Sequence, residues 1–105
     1  MARYVFQFTS AARPGEDEAF NRWYDEVHLP DVLKQPGFLA GRRYIVVDPS
    51  ATRTRYVASY EVESDDPHAT LQKLFEGSKD MVISPLLDQD QVTITILKPA
   101  SAPPR

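Results

Sequence analysis

The sequence contains no cysteine, which excludes disulfides, thiolate metal sites and a cysteine nucleophile. Glycine is scarce, with four in 105 residues, and neither a phosphate-binding glycine loop nor a Gly-x-Ser-x-Gly elbow occurs. The two histidines, His28 and His68, have no His-x-x-x-His or carboxylate spacing around them, so no metal is expected. Basic charge is not in excess either. Twelve Lys and Arg against fifteen Asp and Glu leave a net charge of -3, without the clustered cations of a nucleic-acid-binding surface. No stretch approaches the roughly 18 apolar residues of a membrane-spanning helix. The opening residues Met1 to Phe6 lack the apolar core and cleavage site of a signal peptide. The expectation is a cytoplasmic protein with neither nucleic acid nor membrane as a partner.

What is present fits one domain with one modest core. Tyr4, Phe6 and Phe8 alternate with Val5, Gln7 and Thr9, the period-2 pattern of a strand with one apolar face. After Pro14-Gly15, the acidic residues Glu16, Asp17 and Glu18 mark the first turn of a helix, where carboxylates meet exposed N–H groups. Phe20, Trp23, Tyr24 and Val27 follow helical spacing, and His28 lies four residues past Tyr24 on the same stripe. Pro30 disfavours helical geometry at Leu29, which predicts that this helix stops near His28. A separate helical turn then runs through Asp31, Val32 and Leu33, making a rigid corner before Pro36-Gly37. Residues 38–48 and 54–62 read as two strands joined at Pro49-Ser50-Ala51 into a hairpin. Residues 69–75 carry Leu71, Leu74 and Phe75 at helical spacing with Gly77 as a stop. A weaker segment, 81–87, reads as a helical turn or loop, and 91–97 as the last strand.

This order, β-α-β-β-α-β, is the ferredoxin-like arrangement, an α+β fold with one antiparallel sheet and both helices on one face. The domain spans residues 1–98, and the Pro-rich tail, 99–105, is expected to be disordered. The second face of the sheet, with apolar residues such as Val5 and Val57, lacks a cover. A second copy of the chain would supply one, and a face-to-face homodimer is the expectation.

The strongest local signal is the run Asn21-Arg22-Trp23-Tyr24-Asp25-Glu26-Val27-His28-Leu29-Pro30, followed by Pro36-Gly37-Phe38 and Arg42-Arg43-Tyr44. An aromatic residue ahead of His-x-Pro, then Pro-Gly, then a strand with an Arg-Tyr pair resembles the EthD-like branch of the dimeric α/β-barrel superfamily. The resemblance implies a barrel made by two sheets, with a pocket in each subunit between sheet and helices. It places the family's histidine on His28, with Trp23, Tyr24, Pro30, Arg43 and Tyr44 around it. Relatives include cofactor-free cyclases and dehydratases, isomerases, monooxygenases and haem-degrading enzymes.

A histidine titrates near neutrality and serves as a general acid or base. If His28 ends a helix, the helix dipole favours its protonated form. Asp25 and Asp31 are the carboxylates placed to orient it. Tyr24 is placed to donate to a developing oxyanion. Arg42 and Arg43 occupy opposite faces of their strand, and by the resemblance Arg43 is the one that enters the pocket. Tyr44, Tyr56 and Tyr60 are candidates to line it. Such a set suffices for a cofactor-independent lyase, isomerase or cyclase acting on a small, largely apolar carbonyl or phenolic compound. Two other readings stay open: a haem-binding or cofactor-free monooxygenase, and a non-catalytic small-ligand-binding dimer. So do plainer roles, with His28 capping a helix-end carbonyl, Trp23 and Tyr24 packed in the core, and His68 on the surface.

Overall fold

The structure is a computed structural model describing residues 2–78 and 84–101. Its four strands are β1 (Ala2–Ser10), β2 (Phe38–Ile45), β3 (Tyr56–Ser64) and β4 (Thr93–Leu97). They form one antiparallel sheet in the order β2-β3-β1-β4. The helices are α1 (Asp17–Trp23), α2 (Leu29–Leu33) and α3 (Pro67–Gly77). This is the ferredoxin-like α+β fold expected from the order of the elements. Among the described residues no helix is long and apolar enough to cross a membrane. Residues 81–83 of the segment 81–87 and residues 102–105 of the Pro-rich tail lie outside the described residues.

Strand alternation decides where the core sits. β1 pairs with β3 so that Phe6 faces Tyr60, Tyr4 faces Val62 and Phe8 faces Ala58. These residues share one side of the sheet and pack there with Phe20, Tyr24, Val32 and Leu74 from the helices. Each fully buried large apolar side chain contributes about 1.5–3 kcal/mol, so the layer between helices and sheet is the main source of stability. β4 completes it, placing Ile96 beside Phe6 and Ile94 beside Phe8.

The opposite face is more mixed than a bare apolar surface. Val5, Val57, Tyr44 and Leu97 lie there among Gln7, Thr9, Ser59, Glu61, Arg42, Thr93 and Thr95, as the strand registers require.

The hairpin forms as expected, with β2 against β3, but β2 ends at Ile45 rather than Asp48. The Asp48 carboxylate turns the chain by accepting from the backbone N–H of Ser50 at 3.0 Å and from its hydroxyl at 2.7 Å. Only the Val46 N–H reaches back across, to the Arg55 carbonyl. In α3 the Asp66 carboxylate caps the N-terminus by accepting from the N–H of Ala69. Gly77 is the last residue of that helix, as expected of a stop, and lies beside the Gln35 side chain.

The expected corner at His28 is absent. Tyr24–His28 form a π-helical turn that joins α1 to α2 without a break, all in right-handed helical geometry. The N–H of Leu29 donates to the carbonyl of Tyr24, five residues back. Pro30 lacks an N–H, and its ring crowds a carbonyl four residues upstream in a regular α-helix. The wider turn carries the chain to Pro30, which sits in the first turn of α2, a position proline tolerates.

Candidate functional site

The π-helical turn decides what His28 touches. In a regular helix the residue aligned with His28 is Tyr24, four back. A five-residue repeat aligns it with Trp23 instead, and the imidazole lies on the indole with ring centroids 4.9 Å apart and planes inclined by 19°. Tyr24 meets the same imidazole edge to face, also at 4.9 Å. The histidine is thus gripped by two aromatic rings in the middle of a helical run. Its expected place at a helix C-terminus is overturned, and with it the expectation that a helix dipole favours its protonated form.

His28 forms part of the wall of a cleft of about 250 Å³ between the helices and the sheet. Among the described residues the apolar walls are Phe8, Val32, Leu74, Phe75, Leu87, Val92 and Ile94, and the polar groups at hand are Ser78 and Gln89. Nδ1 of His28 is buried without a hydrogen-bond partner among the described residues. Burial pushes the imidazole below its ordinary pKa of 6.5; nearby Asp31 opposes this, and Arg43 adds to it. His28 is therefore neutral at pH 7.

The other candidates divide into three groups. Tyr24 is buried, 4% exposed, and its hydroxyl neighbours Tyr60. Tyr60 is fully buried, with its hydroxyl beside that of Tyr24. Burial raises the pKa of both phenols. Neither lines the cleft among the described residues.

Arg43, Asp25 and Tyr56 gather on the other side of Tyr24. Arg43 donates to Asp25 Oδ1 at 3.0 Å and to Asn21 Oδ1 at 2.8 Å, and its guanidinium lies 4.4 Å from the centre of the Tyr24 ring. The Tyr56 hydroxyl donates to Asp17 Oδ2 at 2.7 Å. A second, more open hollow of about 510 Å³ lies against Asn21, Asp25, Arg43, Tyr44, Ile45 and Tyr56, and so brings together four of the expected site residues, Asp25, Arg43, Tyr44 and Tyr56. Asp25 is thus engaged with Arg43 rather than with His28.

Asp31 stands near enough to His28 to act on it electrostatically and pairs with Lys34 at 3.7 Å. Tyr44 lies on the face of the sheet opposite His28, beneath the Arg42 guanidinium at 5.7 Å. Of the two arginines, Arg43 is the one on the helix side, but it is engaged with Asp25 and Asn21 and does not enter the cleft beside His28. His68 is exposed. No cluster of three or more metal-binding side chains occurs among the described residues.

The walls of the cleft escaped the sequence reading because they come from distant segments. Phe8 and Ile94 are brought together by the pairing of β1 with β4, and Leu74 and Phe75 come from α3. Alternation alone places Phe8 and Ile94 on apolar strand faces, but nothing local brings those faces to His28. Asn21, one of the two side chains that hold Arg43, carried no signal beyond its place in the helix.

No family model matches the chain, and neither does any curated protein. Solved structures do. An ethyl tert-butyl ether degradation (EthD) family protein from Bacillus halodurans C-125 superposes with a TM-score of 0.59 at 15% identity, covering 91% of this chain and 98% of that one. SnoaB, a cofactor-independent oxygenase from Streptomyces nogalater, gives 0.60 at 13% identity, with 100% of both chains covered. A dimeric ferredoxin-like protein from an uncultured marine organism gives 0.60 at 16% identity, covering 100% of this chain and 94% of that one. At these identities the likeness is one of fold. The chain has the ferredoxin-like fold that it shares with these proteins, an EthD family member among them.

Proposed function

We propose that the protein binds a small, largely apolar carbonyl or phenolic compound in the cleft beside His28, and that neutral His28 takes a proton from it as a general base. The observation that carries this reading is the placement of an imidazole, held neutral by burial, in the wall of an apolar cleft. Proton abstraction next to a carbonyl, or from a phenol, opens lyase, isomerase and cyclase chemistry without a cofactor.

Nδ1 is buried, so Nε2 is the nitrogen that meets the substrate, and the ring's resting proton sits on Nδ1. The Nε2 lone pair accepts the substrate proton, and Asp31 stabilises the imidazolium that forms. Ser78 and Gln89 are the polar groups in the cleft available to a substrate oxygen. Tyr24 and Arg43 serve the reaction by holding His28 rather than by touching the substrate. Tyr60 lies behind Tyr24, Asp25 holds Arg43, and Tyr56 and Tyr44 lie away from the cleft.

At about 250 Å³ the cleft is below the 300–1,000 Å³ of pockets that take drug-sized ligands, which suits a one- or two-ring compound. A haem is larger than such ligands and does not fit among the described residues without the cleft opening. The functional unit in this reading is a homodimer formed by the open faces of two sheets, and a ferredoxin-like neighbour is itself dimeric.

A second reading has a specific support. The fold is shared with a cofactor-independent oxygenase, and a substrate deprotonated by His28 is the electron-rich species that reacts with dioxygen. One experiment addresses both. Enolisable ketones and polycyclic phenols are incubated with the protein, and product and oxygen uptake are followed. Turnover without oxygen uptake, abolished in a folded His28→Ala variant, supports the lyase, isomerase or cyclase reading. Turnover that consumes oxygen moves the assignment to oxygenation. Full turnover by His28→Ala refutes His28 as the base in either case.

A further inference from the structure

The guanidinium of Arg43 is tied to two helix side chains, its Nε is buried without a hydrogen-bond partner among the described residues, and it does not line the cleft. It is carried by β2, and its side chain is only 12% exposed. One nitrogen donates to Asp25 and another to Asn21, both on the helical segment that bears His28. Its flat face lies over Tyr24 at 4.4 Å, with Tyr56 at 5.4 Å and Phe20 at 5.7 Å around it. Tyr24 in turn meets the His28 imidazole edge to face. A cation, an aromatic ring and an imidazole therefore follow one another from the sheet into the helix, and Trp23 closes the stack beyond the imidazole.

We propose that Arg43 is a positioning residue, which acts through the Tyr24 ring on His28 and holds the imidazole in its neutral, proton-accepting form. This rests on the reading of His28 as the base but is tested without turnover, so the two can fail separately.

The physical argument is one of charge around a shared ring. Tyr24 already carries the Arg43 cation on its π system. Protonating His28 puts a second positive charge on the same buried ring, and like charges disfavour the charged form. The compensating carboxylate cancels this only in part. Asp25 is 61% exposed and loses part of its effect to screening by water, whereas the Arg43 side chain is 12% exposed. Among the described residues the other charged group acting on His28 is Asp31, on α2, which favours the imidazolium and is itself drawn towards Lys34. The remaining described walls of the cleft, from α3, β4 and the segment before β4, bring only uncharged side chains to His28.

The test is the titration of His28 followed by NMR of its ring protons and nitrogens, with the His68 signals as internal reference. Arg43→Met is expected to move the His28 midpoint upward, and Arg43→Lys, which keeps the charge, to leave it nearer the unmodified protein. Asp25→Asn, at an exposed carboxylate, bares the Arg43 charge and is expected to move the midpoint downward. If Arg43→Met does not fold, the Asp25→Asn and Arg43→Lys titrations decide. An unmoved midpoint in folded Arg43→Met or in Asp25→Asn overturns the proposal. So does an equal rise in Arg43→Lys, because packing rather than charge is then the cause.

Discussion

The His28 imidazole lies against the Trp23 indole at a centroid separation of 4.9 Å, a contact that exists because the chain makes one π-helical turn between them. An aromatic pair of this kind contributes about 0.5–1.5 kcal/mol beyond the area it buries. Trp23→Ala, which also removes apolar packing against Phe20, is expected to lower stability by about 2–3 kcal/mol. Urea denaturation reads that loss, and an accompanying movement of the His28 ring signals shows that the stack positions the imidazole. A loss with unmoved His28 signals makes Trp23 a packing residue alone.

Stability follows the protonation of His28. Its folded-state pKa lies below the ordinary 6.5, chiefly through burial. Between those two values the unfolded chain binds more protons than the folded one, and stability rises with pH. Acidification is therefore expected to weaken the fold from about pH 6.5 down to the folded midpoint, with no further contribution from this group below it. The carboxylates of Asp48 and Asp88, held below the usual range by Ser50 and by Arg53 respectively, lose their contributions only at lower pH, below about 3.8. Thermal melts of His28→Gln should be flatter than those of the unmodified protein across the upper window and should keep the acid limb. Parallel profiles for the two proteins contradict the neutral, buried imidazole.

Arg53 ties the loop after β1 to the segment before β4. Its guanidinium donates to Asp88 Oδ2 at 3.0 Å and to the Ala12 carbonyl. The Ala12–Leu87 bridge lies beside it, and Leu87 is a wall of the cleft. Arg53→Met is expected to destabilise the protein by about 1–3 kcal/mol and to speed amide exchange at Leu87. Unchanged exchange there confines Arg53 to a surface role.

The proposed homodimer places Val57, on the open face of the inner strand β3, against a second copy. A carboxylate in such an interface is unpaired and desolvated. Val57→Glu is expected to shift sedimentation from a dimer of about 24 kDa, twice the 11.9 kDa chain, to the monomer, with circular dichroism preserved. A monomer in the unmodified protein refutes the homodimer.

Much of the fold was legible because its signals are local. The alternation of Tyr4, Phe6 and Phe8 located β1, and the two stretches around Pro49-Ser50-Ala51 located the hairpin. Phe20 and Tyr24 pointed to a helix face, and both are buried. Pro30 misled because its local preference against a preceding helical residue is met by a wider turn, at the level of a hydrogen bond between Leu29 and Tyr24 that no residue pattern encodes. Recognition of His28 as the centre of interest came from its aromatic neighbours in sequence. The alignment with Trp23 rather than Tyr24 follows from that wider turn, the contacts of Arg43 arise only when β2 packs against the helical segment, and the cleft walls form only once β1, β4 and α3 are in place.

The most direct test of His28 as the base is solvent deuterium exchange into an enolisable aromatic ketone, followed by NMR with and without protein. The account predicts that the unmodified protein accelerates exchange at the carbon next to the carbonyl, and that a folded His28→Gln variant loses about 100-fold or more of that acceleration. Equal acceleration by both proteins, with the ketone bound in the cleft, contradicts it.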